Sequence, residues 1–510
     1  MRLTRRNMLA GMLASAAAPA WAEITRSPIP LPRPVDFHKR AAPSIASLLA
    51  RADLGGQVGF AVADCADGAM REVHHSLRGM APASTAKALT ALYALDALGP
   101  EFRFNTRLLA SGPVTEGTLQ GDLILQGSGD PTLDTDGLAA LVADLKASGV
   151  RAISGALRID ASAVPTLYEI DQGQTVYAGY NPALSGLNLN YNRVHFEWRK
   201  QGADYSVTMQ ARTDNLRPAV KMARMAIIAR DRPLFDYTDS DGIDRWSVSR
   251  AALGNGGSRW LPVRRPADYA AEVFMTLAAA QGIRLQRGAD ISGADGPILA
   301  QRASPPLTVI LRDMLRYSTN LTAEVVGLTA SAARGAPHDT LAASAGAMNG
   351  WAVDALNMRH AGLVDHSGLG ETSRLSPSDM ARMMVQPRAM ALLQPLLKPF
   401  ALRDRNNRVI KDHPVEVHAK TGTLDFVSGL AGYVTAPDGT LLGFAIYAGD
   451  LERRAAAHAI SAAQPPDAPG WNRRAKILQQ GLIERWALLY SGLNTEAAAA
   501  QTPAPATSDG

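Results

Sequence analysis

The sequence predicts an α/β protein of roughly three domains, one of them a β-rich module in the middle of the chain. Three observations carry that expectation. Apolar residues recur at helical spacing over Leu307–Tyr317, Thr322–Ala333, Leu341–Arg359 and Ser376–Val385. Asp67-Gly68 and Pro437-Asp438-Gly439 each separate two strand-like runs, a hairpin cue near both ends of the chain. Between Asn181 and Trp260 apolar and polar residues alternate in several short runs, for example Val194-His195-Phe196-Glu197-Trp198.

The elements follow in order. Arg2, Arg5 and Arg6 precede an apolar run from Met8 to Ala18, and Ala20-Trp21-Ala22 supplies the small residues of a cleavage site. This reads as a signal peptide, residues 1–22, and Thr4-Arg5-Arg6-Asn7-Met8-Leu9 resembles a twin-arginine export signal. A Pro-rich linker, Ile24 to Pro34, leads to a helix at Ala41–Arg51 and the strand pair Val58–Asp64 and Ala69–His75. Met80–Ser84 connects to an apolar helix, Thr85–Leu98, stopped by Gly99-Pro100. Short strands and turns fill Arg103 to Asp160 around a helix near Leu138–Ala147, and another helix runs from Pro266 to Gln281. Strands at Gly429–Val434 and Leu441–Tyr447 and a helix at Arg473–Tyr490 close the ordered part. From Asn494 onward Ala, Pro and Thr without periodicity predict a disordered tail.

Composition excludes several classes. Of the net charge of +5, three positive residues belong to the signal, so the remainder is nearly neutral and its basic residues are scattered. That is no nucleic-acid footprint. The single cysteine, Cys65, forms no internal disulfide and reads as a small strand residue. No later stretch reaches 18 uninterrupted apolar residues, so no membrane span is expected and the exported chain is expected to be soluble. No Cys/His spacing suggests a metal and no cofactor is expected. His74 and His75, adjacent on a strand, should point to opposite faces. His366, His413 and His418 read as structural or solvated, and the oligomeric state is unknown.

Chemistry concentrates in three short motifs. Ser84 begins a helix with Lys87 three residues later on the same face, so an amine can reach the hydroxyl. A serine hydroxyl needs such a base, and burial beside a helix N-terminus and a second lysine disfavours the ammonium form. Ser318-Thr319-Asn320 lies at a helix boundary, where Ser318 can relay a proton and Asn320 can bond Lys87 or the substrate amide. Lys420-Thr421-Gly422-Thr423 reads as an edge strand. Gly422 admits a substrate backbone, and Lys420, Thr421 and Thr423 suit a terminal carboxylate. Backbone N–H groups of Ser84 and Thr423 would form the oxyanion hole. Only Lys87 among the chain's lysines has serine three positions earlier, and Lys-Thr-Gly and Ser-x-Asn each occur once. The ordered trio is the set carried by β-lactamases and penicillin-binding proteins.

With these motifs the chain resembles the D-alanyl-D-alanine carboxypeptidase/endopeptidase family, the multi-domain low-molecular-mass penicillin-binding proteins. Gly121-Asp122-Leu123, Gly127-Ser128-Gly129-Asp130-Pro131, the extension to Leu321-Thr322-Ala323-Glu324, Asp365-His366-Ser367-Gly368-Leu369 and Leu424 match the family's blocks over residues 38 to 490. The resemblance implies a penicillin-recognising transpeptidase/β-lactamase-like fold, an antiparallel sheet between helices, split in sequence. The 234 residues from Ser84 to Ser318 would hold the inserted domains. The expected partition is 23–100 with 305–490 for the peptidase, 101–165 with 262–304 for one insert, 166–261 for a nested β-rich insert and 491–510 for the tail. The implied reaction is hydrolysis of peptidoglycan stem peptides through an acyl-enzyme on Ser84, inhibited by β-lactams, in the periplasm. A serine β-lactamase and a catalytically idle wall-binding scaffold are the alternatives. Two departures, Phe400-Ala401-Leu402-Arg403 and Asp450 after Tyr447, are expected at the rim of the site.

Overall fold

The structure is a computed structural model that describes residue 39 and residues 42–404, 406–460 and 465–492. The signal segment, the Pro-rich linker and the tail from Asn494 lie outside the described residues. Of the short unit ending at Ala42 only residues 39 and 42 are described, and all elements below belong to the unit from Pro43.

A six-stranded antiparallel sheet forms the frame, in the order Lys398–Pro399, Glu416–Leu424, Val427–Thr435, Leu441–Gly449, Gln57–Asp64, Met70–His74. Its central strand VSGLAGYVT is buried at all but its last residue, because both faces are covered and alternation has no solvent side to serve. The first strand pairs with the last, Gln57 opposite Gly449 and Asp64 opposite Leu442, so the two ends of the chain share one sheet. Both hairpin cues are turns here: Gly68 and Gly439 hold φ of 72° and 88°, left-handed values that glycine takes without a Cβ clash.

Helices cover the two faces. Ile45–Ala52 and Ala468–Tyr490 pack on one, where Trp471 and Trp486 are wholly buried among Phe60, Phe426 and Phe444. On the other lie Lys87–Leu98, Leu307–Tyr317, Asn320–Ala333, Leu341–Leu356 and Pro377–Met384. Lys87–Leu98 is apolar all round, with residues 87–95 buried, as befits the central helix of a core. Tyr93 Oη and Ser331 Oγ, 2.9 Å apart, satisfy each other between it and Asn320–Ala333.

Residues between the two halves build a second core, from Leu108 to Ala300. Strands Ile298–Ala303, Asn105–Ala110, Leu123–Gly127 and Leu157–Asp160 form one mixed sheet, against which Thr135–Ala147 and Pro266–Ala280 pack. The alternating stretch forms two three-stranded sheets, one of Asp204–Gln210, Arg193–Gln201 and Gly256–Pro262, the other of Ala223–Ile228, Ile243–Ser249 and Phe235–Ser240. The segment from Ala161 to Leu189 has neither helix nor strand, and its Val164, Ile170 and Leu184 join the core under the helices of the six-stranded sheet.

Several expectations change in detail. The strand ends at His74, and His75 turns into the left-handed region at φ 43°, so the two rings lie 4.2 Å apart instead of on opposite faces. Cys65 sits one residue past its strand, where burial, then Asp64, pushes the thiol up to about 12. Neither departure reaches the rim. Leu402 is buried under the C-terminal helix, and Asp450 accepts the Arg453 N–H at 3.0 Å to cap the helix Leu451–Ile460.

Candidate active site

Ser84 lies on a single 3₁₀ turn, Ala83–Ala86, that runs into the helix starting at Lys87. Ala83 holds φ 46°, a left-handed value for a residue with a Cβ, which costs of order 1 kcal/mol and marks a turn held by its surroundings. Those surroundings are strands. An ideal Cβ on Gly422 would sit 2.8 Å from the Pro82 carbonyl oxygen and 3.0 Å from the Ser84 nitrogen, and one on Gly429 would sit 2.9 Å from the same oxygen. Only glycine lets the strand backbone approach the turn this closely.

The Lys87 amine is fully buried and has three partners: Ser84 Oγ at 3.0 Å, Asn320 Oδ1 at 2.7 Å and the Ser367 carbonyl at 2.8 Å. Two of these are pure acceptors. A neutral amine has two hydrogens and one lone pair, so the hydrogens go to Asn320 and Ser367 and the lone pair faces the Ser84 hydroxyl. Burial lowers the Lys87 pKa to about 8, opposed by Glu324 and then Asp365. The orientation of the Asn320 amide is fixed from its other end, where Nδ2 donates to the Tyr180 carbonyl at 2.9 Å.

Ser318 ends its helix in the left-handed region at φ 60° and accepts from Lys420 Nζ at 2.9 Å. Lys420 is fully covered, and its amine also donates to the Thr421 carbonyl at 2.7 Å. Burial, then the charge of Lys87, holds its pKa well below the ordinary lysine value. Gly422 abuts Ser84, while Thr423 lines the open cleft and Thr421 is half-buried. The strand is not a bare edge: Lys398–Pro399 pairs with it at Ala419 and His418, and that ladder goes no further towards Gly422. The cleft, about 750 Å³, brings together Ser84, Ser318, Asn320 and Thr423 with Tyr177 and Tyr180 from the middle of the chain and Arg454 from the C-terminal half.

Sequence reasoning gave no role to the charges beneath this site. Glu324, fully buried, accepts the backbone N–H groups of His366 and Ser367, both at 2.9 Å, and so aims the Ser367 carbonyl at Lys87. Its spacing of four residues from Asn320 on one helix was the available signal. Burial, then Asp365, raises its pKa. Asp365 accepts from Gly368 N at 2.7 Å and Gly370 N at 2.5 Å and shapes the same loop. His366 donates to or accepts from Ser344 Oγ at 2.8 Å, and burial lowers its pKa to about 3, so it stays neutral. Among the described residues no group of three His, Cys, Asp or Glu is placed to hold a metal ion.

A serine hydroxyl beside a buried lysine, on a turn pressed against the strand of a helix-covered antiparallel sheet, defines a serine acyl-transfer enzyme of the penicillin-recognising kind. The family model for the D-Ala-D-Ala carboxypeptidase 3 (S13) family matches residues 41–464, and the chain belongs to that family as a serine-type D-Ala-D-Ala carboxypeptidase. It is 27% identical over 428 residues to a D-alanyl-D-alanine carboxypeptidase of Actinomadura sp. strain R39, covering 76% of this chain and 77% of that one. It is 24% identical over 437 residues to the D-alanyl-D-alanine carboxypeptidase DacB of Haemophilus influenzae, covering 81% and 90%. The crystal structure of penicillin binding protein 4 from Haemophilus influenzae shares the fold, with a TM-score of 0.69 at 20% identity over 86% of this chain and 99% of that one. A structure of that protein complexed with a β-lactam aligns with a TM-score of 0.67 at 20% identity and the same coverage.

Proposed function

We propose that Ser84 is the nucleophile and Lys87 its general base in acyl transfer from the D-Ala-D-Ala end of peptidoglycan stem peptides, cross-linked or free. One observation carries this reading: the buried Lys87 amine is 3.0 Å from Ser84 Oγ, and both its other partners can only accept. The Ser84 proton passes to Lys87 as the Ser84 oxygen bonds to the carbonyl carbon of the penultimate D-Ala. The backbone N–H groups of Ser84 and Thr423 receive the oxyanion. The C–N bond then breaks, and the proton reaches the leaving amine through Ser318, which Lys420 holds from behind. Water hydrolyses the ester to return Ser84. Thr423 and Ser318, with the charge of Lys420 behind them and Thr421 beside it, receive the terminal carboxylate, whose arrival favours the ammonium form of Lys420. Gly422 admits the peptide backbone next to the turn. A β-lactam fits the same site as a cyclic acyl donor, in keeping with the β-lactam complex of the structural relative. The leader motif supports a periplasmic location, and the 234 residues from Ser84 to Ser318 support 101–165 with 262–304 as one inserted domain and 166–261 as a nested one.

Incubation of the folded protein with a labelled penicillin, followed by peptide mass spectrometry, tests the mechanism. An adduct on Ser84, absent from Ser84→Ala and Lys87→Met, is expected; unlabelled Ser84 in wild-type protein overturns the assignment. Digestion of cross-linked and uncross-linked muropeptides side by side then reads which leaving amine is accepted.

A further inference from the structure

The Tyr180 carbonyl that orients Asn320 lies within the irregular segment of residues 161–189, and one buried arginine bonds three carbonyls of that segment. The Arg264 side chain is wholly buried. Its guanidinium donates to three backbone carbonyls, Tyr168 at 3.0 Å, Val176 at 3.0 Å and Asn181 at 2.9 Å. It lies 4.9 Å over the Tyr168 ring and 3.6 Å from Glu169, and the Arg264 backbone N–H donates to Asp244 Oδ2 at 3.0 Å. Asn181, also fully buried, closes the segment from within by accepting the N–H groups of Ile170 and Asp171, both at 2.9 Å, and donating to the Asp171 carbonyl at 2.8 Å. Without a helix or strand ladder, these side chains take over the work of fixing the backbone.

We infer that Arg264 is a positioning residue for acyl transfer: it clamps the segment that carries Tyr180, whose carbonyl locks the Asn320 amide with its oxygen towards Lys87. The inference rests on Lys87 serving as the base. An amide turned over would present N–H groups to Lys87, engage the lone pair meant for the Ser84 proton, and leave the amine without one of its acceptors. The middle of the chain thereby completes the base from a distance, through a guanidinium that does not line the cleft.

Of the charged groups around Lys87, Glu324 and Asp365 favour its ammonium and Lys420 has its own ammonium disfavoured by Lys87, while burial disfavours the Lys87 ammonium. Loss of the Asn320 oxygen as an acceptor adds to the disfavour, so the pH at which acylation switches on must fall. A clamp that served stability alone would act oppositely, since loosening admits water and returns Lys87 towards its ordinary, higher value. The test is the pH profile of Ser84 acylation by a reporter penicillin in wild type, Arg264→Lys and Asn181→Ala, with saturation kinetics separating the acylation step from binding. Arg264→Lys keeps the charge but cannot span three carbonyls. The expected result is a maximal acylation rate lowered roughly tenfold, the size of one lost charge-assisted hydrogen bond, a limb moved to lower pH, and penicillin binding changed less than about threefold. Asn181→Ala loosens the same segment from its other side, so it must move the limb in the same direction. An unchanged rate and limb in either folded variant, or a limb moved to higher pH, overturns the inference. Should neither variant fold, the clamp serves stability rather than positioning, and the inference falls. Failure of the mechanism itself reads differently, as the absence of a Ser84 adduct in the wild type.

Discussion

Replacing Gly422 by alanine adds one methyl group where the strand leans on the nucleophile's turn. The added Cβ would lie 2.8 Å from the Pro82 carbonyl oxygen and 3.0 Å from both the Ala83 Cβ and the Ser84 nitrogen. Gly422 is not among the residues with left-handed φ, so alanine fits its backbone and the perturbation is one of spacing alone. Carbon contacts relax at about 3.5–4.0 Å, so the strand and the turn must part by roughly 0.5 Å or more. A misplacement of about 1 Å at a reacting centre costs on the order of 100-fold in rate. The expected loss in Ser84 acylation is therefore roughly 10- to 100-fold, or about 1.4–2.7 kcal/mol of transition-state stabilisation. Overpacking should also lower stability by about 1–3 kcal/mol. Stopped-flow acylation with a fluorescent penicillin, alongside a thermal melt, separates the two effects. Acylation within threefold of wild type, in a variant with an unchanged melting temperature, would show that the strand does not set the geometry of the nucleophile.

Other expectations concern the buried charges and one helix. Acylation should rise with pH through about 8, because only the neutral Lys87 amine has a lone pair for the Ser84 proton and burial lowers its pKa to that region; a rate flat from pH 6 to about 9 would remove Lys87 from the base role. Glu324→Gln keeps the shape but offers one acceptor to two N–H groups, and the orphaned buried donor should cost about 1–3 kcal/mol in chemical denaturation. The same change removes a negative charge that favours the Lys87 ammonium, so the acylation limb should move to lower pH. Gly346, within the helix Leu341–Leu356, has nothing within 4 Å of an added Cβ, so Gly346→Ala should raise stability by about 0.5–1 kcal/mol and leave acylation unchanged.

Much of the peptidase half could be read from the letters. Leu307–Tyr317 begins and ends where its apolar spacing does, and both glycine-bearing hairpins fall where Asp67-Gly68 and Pro437-Asp438-Gly439 place them. That the Lys87 amine meets the Ser84 hydroxyl was legible because their relation is local, three residues along one turn. The opposite-face reading of His74 and His75 failed at a strand terminus, where one left-handed residue cancels the alternation. Phe400–Arg403 and Asp450 looked like rim residues only because they stand near the motifs in sequence; in space one packs under a helix and the other caps one.

What the sequence by itself determined is which groups could meet: a hydroxyl, an amine one turn away, and a strand bearing lysine, threonine and glycine. The tertiary structure alone decided which way the amine's lone pair points. The amine's other partners are the Ser367 carbonyl, on a loop that Glu324 holds, and the Asn320 oxygen, whose amide the Tyr180 carbonyl orients, all of them far from Ser84 in the sequence.

 A backbone carbonyl has no letter of its own, since every residue carries the same one. Only packing selects which of them faces a buried amine, and here it selects that of Ser367.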